Sequence, residues 1–129
     1  MTPHLSEAQL RALSPLALAY VGDAVYELFM RGHYLLPPKR IQAYHQQVVS
    51  QVRAEQQAQH LEALQPHLTP NEQTVLRRGR NATPSRRQRA SAAVYQQATS
   101  LETLVGYLYL TNPQRLTELF SHLNLDPAD

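Results

Sequence analysis

The sequence predicts an all-α fold, and three observations carry that prediction. Ala, Leu, Gln, Glu and Arg, all good helix formers, dominate the composition, and β-branched residues are few. Apolar residues make up 43% of the chain, enough to bury a core. No stretch alternates apolar and polar residues for long enough to read as a strand. At 129 residues the chain has the size of one domain, and no internal repeat or linker divides it.

Helix starts are marked in order along the chain. Ser6 precedes a short amphipathic piece, Glu7 to Leu13. Ser14-Pro15 supplies an N-cap followed by Pro at the first helical position, and opens a helix from Leu16 to about Tyr34. Pro37-Pro38 breaks it. A Gln-rich helix is expected from about Arg40 to Gln65, ended by Pro66. Thr69-Pro70-Asn71-Glu72 has capping-box spacing and starts a helix through about Arg78. Gly79 to Ser85, with Asn81 and Pro84, reads as a loop. A helix from about Arg87 to Leu110 follows, and Asn112-Pro113 caps a last one ending near Leu123, leaving no room for an appended module.

Charge is distributed unevenly. The net charge is +2, yet six arginines and no acid lie between Arg77 and Arg89, which leaves the rest of the chain net acidic. Eleven of the twelve cations are Arg, the side chain suited to planar, bidentate phosphate contacts. A polyanionic partner follows as the leading expectation. The plainer reading is a solvated charge run, but local acids that would pair with it are missing.

Two helices carry isolated carboxylates. Leu16 to Met30 is apolar nearly all round, as a buried central helix would be, and Asp23 and Glu27 are its only charges. Between Ala90 and Leu110, Glu102 is the single charge. An ionised carboxylate in such a setting costs several kcal/mol unless it is paired or binds a cation. Each helix also holds an interior glycine near its acid, Gly22 before Asp23 and Gly106 one turn after Glu102. Interior Gly costs about 1 kcal/mol against Ala, so close approach of another backbone is its usual reason. Helices crossing at these glycines would bring Asp23 and Glu102 together, a donor set suited to a hard cation such as Mg²⁺. The alternative is a rim position, with the carboxylates solvated or bonded to Arg.

Other chemistry is thinly represented. Cys is absent, which excludes a disulfide framework, thiol catalysis and Cys-ligated metals. The six histidines show no zinc-binding spacing, and no GxSxG, P-loop or GxGxxG occurs. Tyr20, Tyr26, Tyr107 and Tyr109 sit in the apolar helices and read as core. The Arg40 to Gln65 segment shows no chemistry. No apolar run approaches the ~18 residues of a membrane span and no signal peptide opens the chain, so a soluble, cytoplasmic location without a membrane is expected.

Three segments resemble a known family. Leu18 to Leu28, Leu-Ala-Tyr-Val-Gly-Asp-Ala-Val-Tyr-Glu-Leu, is similar to the signature helix of the ribonuclease III catalytic domain. Ala98 to Leu110 resembles that domain's second acidic motif. Arg77 to Ala82, Arg-Arg-Gly-Arg-Asn-Ala, resembles the short bacterial branch called Mini-ribonuclease III. The resemblance implies an all-helical homodimer and an endoribonuclease that cuts double-stranded RNA. It implies Asp23 and Glu102 as catalytic, metal-binding carboxylates, with Mg²⁺ as cofactor and Mn²⁺ as a candidate substitute. Glu27, one turn beyond Asp23, is a candidate to support the site without ligating. Larger relatives carry further acids where this chain has Leu16, Ala19 and Thr99, which puts a fully occupied two-metal site in question.

A counterpart of the family's usual double-stranded-RNA-binding domain is not expected here. RNA contact is therefore expected from Arg77, Arg78, Arg80, Asn81, Arg86 and Arg87. The branch implies precursor large-subunit ribosomal RNA as substrate, with a ribosomal protein as a candidate for presenting it. Two rivals remain at this point: a catalytically inactive, ribonuclease III-like RNA-binding or ribosome-assembly factor, and a helical DNA-binding regulator.

Overall fold

The structure, a computed structural model, describes residues 2–83 and 89–128 and, at residues 89 and 90, the backbone alone. Among the described residues there are seven α-helices and no strand: α1 (Glu7–Ala12), α2 (Pro15–His33), α3 (Ile41–Val52), α4 (Ala54–Leu64), α5 (Pro70–Asn81), α6 (Arg89–Thr111) and α7 (Pro113–Phe120). One 3₁₀ turn, Gln65–His67, follows α4. The all-α expectation holds. No helix among the described residues is long and apolar enough to cross a membrane.

Four helix starts are where local capping chemistry puts them. The Ser6 hydroxyl accepts from the Gln9 amide at 3.1 Å while the Gln9 side chain accepts from the Ser6 amide at 2.9 Å. Ser14 accepts from Ala17 at 3.0 Å, ahead of Pro15. Thr69 and Glu72 form a second reciprocal box, and Asn112 accepts from the Arg115 amide at 3.1 Å. Each cap satisfies amides that a helix start leaves unpaired, worth about 1 kcal/mol.

Three expectations about the elements are corrected. The Gln-rich segment is two helices, α3 and α4, separated at Arg53, whose backbone is extended (φ −66°, ψ 155°). No Pro or Gly marks that break. The last turn of α5 runs through Gly79 to Asn81, where a loop was expected. Gly79 is buried there against Ser100 and Thr103, and this contact with α6 carries the helix past a residue that usually ends one. The last helix stops at Phe120, three residues short of the expected end.

Helix α6 is the centre of the fold, packed against α2, α4, α5 and α7. Its Leu101, Leu104, Val105 and Leu108 are buried with Tyr26 and Met30 of α2, Val75 and Leu76 of α5, and Phe120 of α7. Each such aliphatic side chain contributes roughly 1.5–3 kcal/mol on leaving water. Within this core the Tyr26 hydroxyl bonds Nδ1 of His60, so both buried polar groups are satisfied. Burial also pushes the His60 imidazole below its usual pKa. Glu72, 4% exposed, accepts from Arg115 Nε at 2.8 Å and Nη2 at 2.9 Å, tying α5 to α7.

The apolarity of α2 has a different meaning from the one expected. The helix is not buried all round: Leu16, Tyr20 and Leu28 are 45%, 83% and 69% exposed. Tyr20, read as core, is therefore a surface residue. Tyr26 is buried as expected, and Tyr107 and Tyr109 are half-buried against the core.

Candidate active site

The two interior glycines are where α2 and α6 cross. A Cβ on Gly22 would lie 1.7 Å from the carbonyl oxygen of Glu102, and one on Gly106 would lie 1.9 Å from that of Leu18. Each helix thus needs a missing side chain at the other's closest point. Gly22 sits directly under the Glu102 backbone, and Asp23 is the next residue, so the crossing itself brings the two carboxylates together.

Asp23 is exposed at the rim while Glu102 is half-buried beneath it. Burial, together with a hydrogen bond and charge repulsion from Asp23, pushes the Glu102 carboxyl up to about 8. A half-buried carboxyl so perturbed beside an exposed one marks a functional-site candidate. The amide of Gln57 on α4 opposes the shift by pointing Nε2 at Glu102 Oε2, 3.5 Å away. None of the ion pairs formed among the described residues involves Asp23 or Glu102. The two carboxylates interact closely enough to perturb each other, and among the described residues no cationic side chain pairs with them. That donor set fits a hard divalent cation, which would supply the missing charge. Among the described residues no group of three His, Cys, Asp or Glu converges.

The remaining expected site residues fall into two groups. Glu27 bonds Arg31 Nη2 at 2.7 Å, one turn along α2 from Asp23, which is the Arg-bonded alternative. Arg77, Arg78, Arg80 and Asn81 are all exposed on the last turns of α5. They therefore project from a helix, with only Ala82 and Thr83 following it among the described residues. Arg77 and Arg80 line a polar groove between α4, α5 and α6 together with Gln65, Gln73, Gln97 and Ser100. Arg86 and Arg87 lie outside the described residues.

Gln57 was missed by reading the sequence. It lies in the segment thought to hold no chemistry, and one Gln among many in a polar stretch gives no signal. The break at Arg53, which turns it toward α6, is itself silent in the sequence. Leu16, Ala19 and Thr99, where larger relatives carry acids, add no carboxylate: Leu16 is exposed, and Ala19 and Thr99 are buried at 6% and 5%.

The ribonuclease III domain family matches residues 16–113. A Mini-ribonuclease 3 from Thermosynechococcus vestitus is 56% identical over 111 residues, covering 86% of this chain and 74% of that protein. A Mini-ribonuclease 3 from Synechocystis is 55% identical over 118 residues, covering 92% and 82%. The crystal structure of a Fusobacterium nucleatum protein superposes with a TM-score of 0.78 at 26% identity, covering 86% of this chain and 93% of that one. The chain belongs to the ribonuclease III family of endoribonucleases, alongside the Mini-ribonuclease 3 proteins.

Proposed function

We propose that this chain cleaves double-stranded RNA in an Mg²⁺-dependent reaction and that its substrate is precursor large-subunit ribosomal RNA. The carrying observation is the carboxylate pair held at the Gly22–Gly106 crossing, with Glu102 raised to about 8 and no cationic partner among the described residues. Asp23 and Glu102 would hold the cation, with Mn²⁺ as a candidate substitute. Such an ion supplies charge that lowers the pKa of water and offsets the charge developing on the scissile phosphate. Asp23, exposed at the rim, faces incoming substrate, while half-buried Glu102 anchors the site to the core.

Arg77, Arg78, Arg80 and Asn81 bind the duplex backbone in this reading, with Arg86 and Arg87 as further candidates. Recognition by shape and phosphate contacts is the general rule for A-form duplexes. The groove between α4, α5 and α6 places Arg77 and Arg80 among hydrogen-bonding side chains suited to phosphate and ribose. A homodimer is part of the same proposal. Leu16, Tyr20 and Leu28 recur at four- and eight-residue spacing along one face of α2, and an exposed apolar stripe of this kind marks a protein–protein contact. Cytoplasmic action, and presentation of the RNA by a ribosomal protein, complete the proposal.

One rival keeps a specific observation in its favour. A site with two acidic side chains, where larger relatives carry more, suits an inactive RNA-binding or ribosome-assembly factor. Cleavage of a long perfect RNA duplex, with Mg²⁺ and with EDTA, comparing wild type with Glu102→Gln, separates the two. Mg²⁺-dependent cutting lost in the variant supports the proposal. Binding without cutting, on both perfect duplex and folded precursor, overturns it in favour of the assembly factor. Cutting of the precursor alone keeps the nuclease and locates its specificity in RNA structure.

A further inference from the structure

The end of a helix leaves carbonyl groups unpaired, and α3 ends abruptly at Val52. Gln57, one turn into α4, reaches back across the break, and its Nε2 donates to the Val52 carbonyl at 2.7 Å. The same nitrogen faces Glu102 Oε2 at 3.5 Å, so one amide group spans the α3–α4 break and the carboxylate. The Val52 bond dictates which way the amide lies. Turned over, it would set two carbonyl oxygens against each other and present an acceptor to Glu102.

This arrangement is costly. Gln57 is 4% exposed, and its Oε1 is buried with no partner. An unsatisfied buried acceptor costs about 1–3 kcal/mol, which an apolar side chain of the same length would avoid. The donor side of the amide is what the cost retains. Carboxylates that ligate metals are themselves held by hydrogen bonds that set their orientation. Contacts of this kind are often long without substrate and tighten in the working complex.

We infer that Gln57 is a positioning residue for Glu102: anchored to the end of α3, its amide N–H holds the Glu102 carboxylate in the orientation that lets it take a divalent cation jointly with Asp23. The inference rests on the metal-binding role proposed above. Gln51 offers an internal control. It is also a buried Gln with an unpartnered Oε1, but its Nε2 bonds Asp126 Oδ2 at 2.9 Å instead of Glu102.

The test is Mn²⁺ binding to the full chain without RNA, followed by the electron paramagnetic resonance signal of free Mn²⁺. Wild type is compared with Glu102→Gln, Gln57→Met and Gln51→Met. Expected is loss of binding in Glu102→Gln, a roughly 10–100-fold weaker affinity in Gln57→Met, and wild-type affinity in Gln51→Met. The KM for duplex RNA should not move in Gln57→Met, since the residue is buried at 4% exposure. Wild-type Mn²⁺ affinity in Gln57→Met overturns the positioning role, as does equal weakening in Gln51→Met. Wild-type affinity in Glu102→Gln overturns the metal reading itself, so the two failures are distinct. Should Gln57→Met not fold, the Gln57 side-chain amide resonances of the wild type are followed through an Mg²⁺ titration. A shift that saturates with the metal supports the role, and unmoved resonances refute it.

Discussion

Replacing Gly22 with Ala tests the crossing on which the proposed active site depends. The new methyl would lie 1.7 Å from the Glu102 carbonyl oxygen, 2.7 Å from its carbon and 2.8 Å from the Gly106 nitrogen. Carbon and oxygen pack no closer than about 3.3 Å, so α2 and α6 must part locally by roughly 1.5 Å. All three obstructing atoms are backbone, and no side-chain rotation relieves them. A gap of even 0.5–1 Å forfeits about a quarter to a half of each dispersion contact. Overpacking typically costs about 1–3 kcal/mol, and the depth of this clash puts Gly22→Ala at the upper end. Ala regains about 1 kcal/mol of helix propensity, leaving a net loss of roughly 2 kcal/mol or more.

Gly32 lies in the same helix with nothing within 4 Å of its would-be Cβ, so Gly32→Ala should stabilise by up to about 1 kcal/mol. Urea denaturation followed by far-ultraviolet circular dichroism measures both. The reasoning is refuted if Gly22→Ala is as stable as Gly32→Ala. Cleavage by the folded Gly22→Ala protein should also fall about 100-fold, the usual order for a misplacement near 1 Å, while Gly32→Ala cuts normally.

Glu102→Gln should abolish cleavage yet stabilise the metal-free protein. A carboxyl raised to about 8 favours folding when protonated, and that contribution is lost as pH rises from its ordinary 4.5 through 8. The neutral amide escapes the loss, so in EDTA the variant's advantage should grow over that window to about 1–2 kcal/mol, allowing for solvent screening of a partly exposed group. An advantage independent of pH contradicts the assignment. Arg115→Met should cost about 3 kcal/mol by leaving Glu72 buried and unpaired. Hydrogen bonds from Arg115 hold the Glu72 carboxyl below its usual range, so the stability they provide is present above pH about 4.5 and lost as pH falls further. The acid limb of the wild-type urea profile should flatten in Arg115→Met, and an unchanged limb refutes the coupling. Replacing Arg77, Arg78 and Arg80 together with Ala should weaken duplex binding and lower its log–log salt slope by up to about 3. An unchanged slope moves the RNA surface off α5.

Much of this protein is legible in its sequence because the signals are local. Ser6, Ser14, Thr69 and Asn112 start helices by bonding amides three residues on, and no distant contact is needed to say so. Asp23 and Glu102 stand out as lone charges on apolar helices, and the glycines beside them announce a close approach. What the sequence leaves open is which surfaces meet. The apolarity of α2 states that it is covered, but not that one stripe faces the core while Leu16, Tyr20 and Leu28 stay outside. Gly79 beside a run of arginines looks like a stop, yet α5 continues through it to Asn81, with Gly79 packed close to Ser100 and Thr103 of α6.

The break at Arg53 has no breaker residue, because Val52 and Ala54 suit a helix as well as a boundary. The fold pairs the freed carbonyl with Gln57 and turns that amide onto Glu102. The capped helix starts, the lone acids and the two interior glycines are legible without the fold, since propensity, capping and charge act within a turn or so of chain. Tertiary structure decided the α3–α4 corner, the buried amide at the site and the face of α2 left outside. Those depend on contacts among α2, α4 and α6, whose free energy is realised only once distant segments pack together.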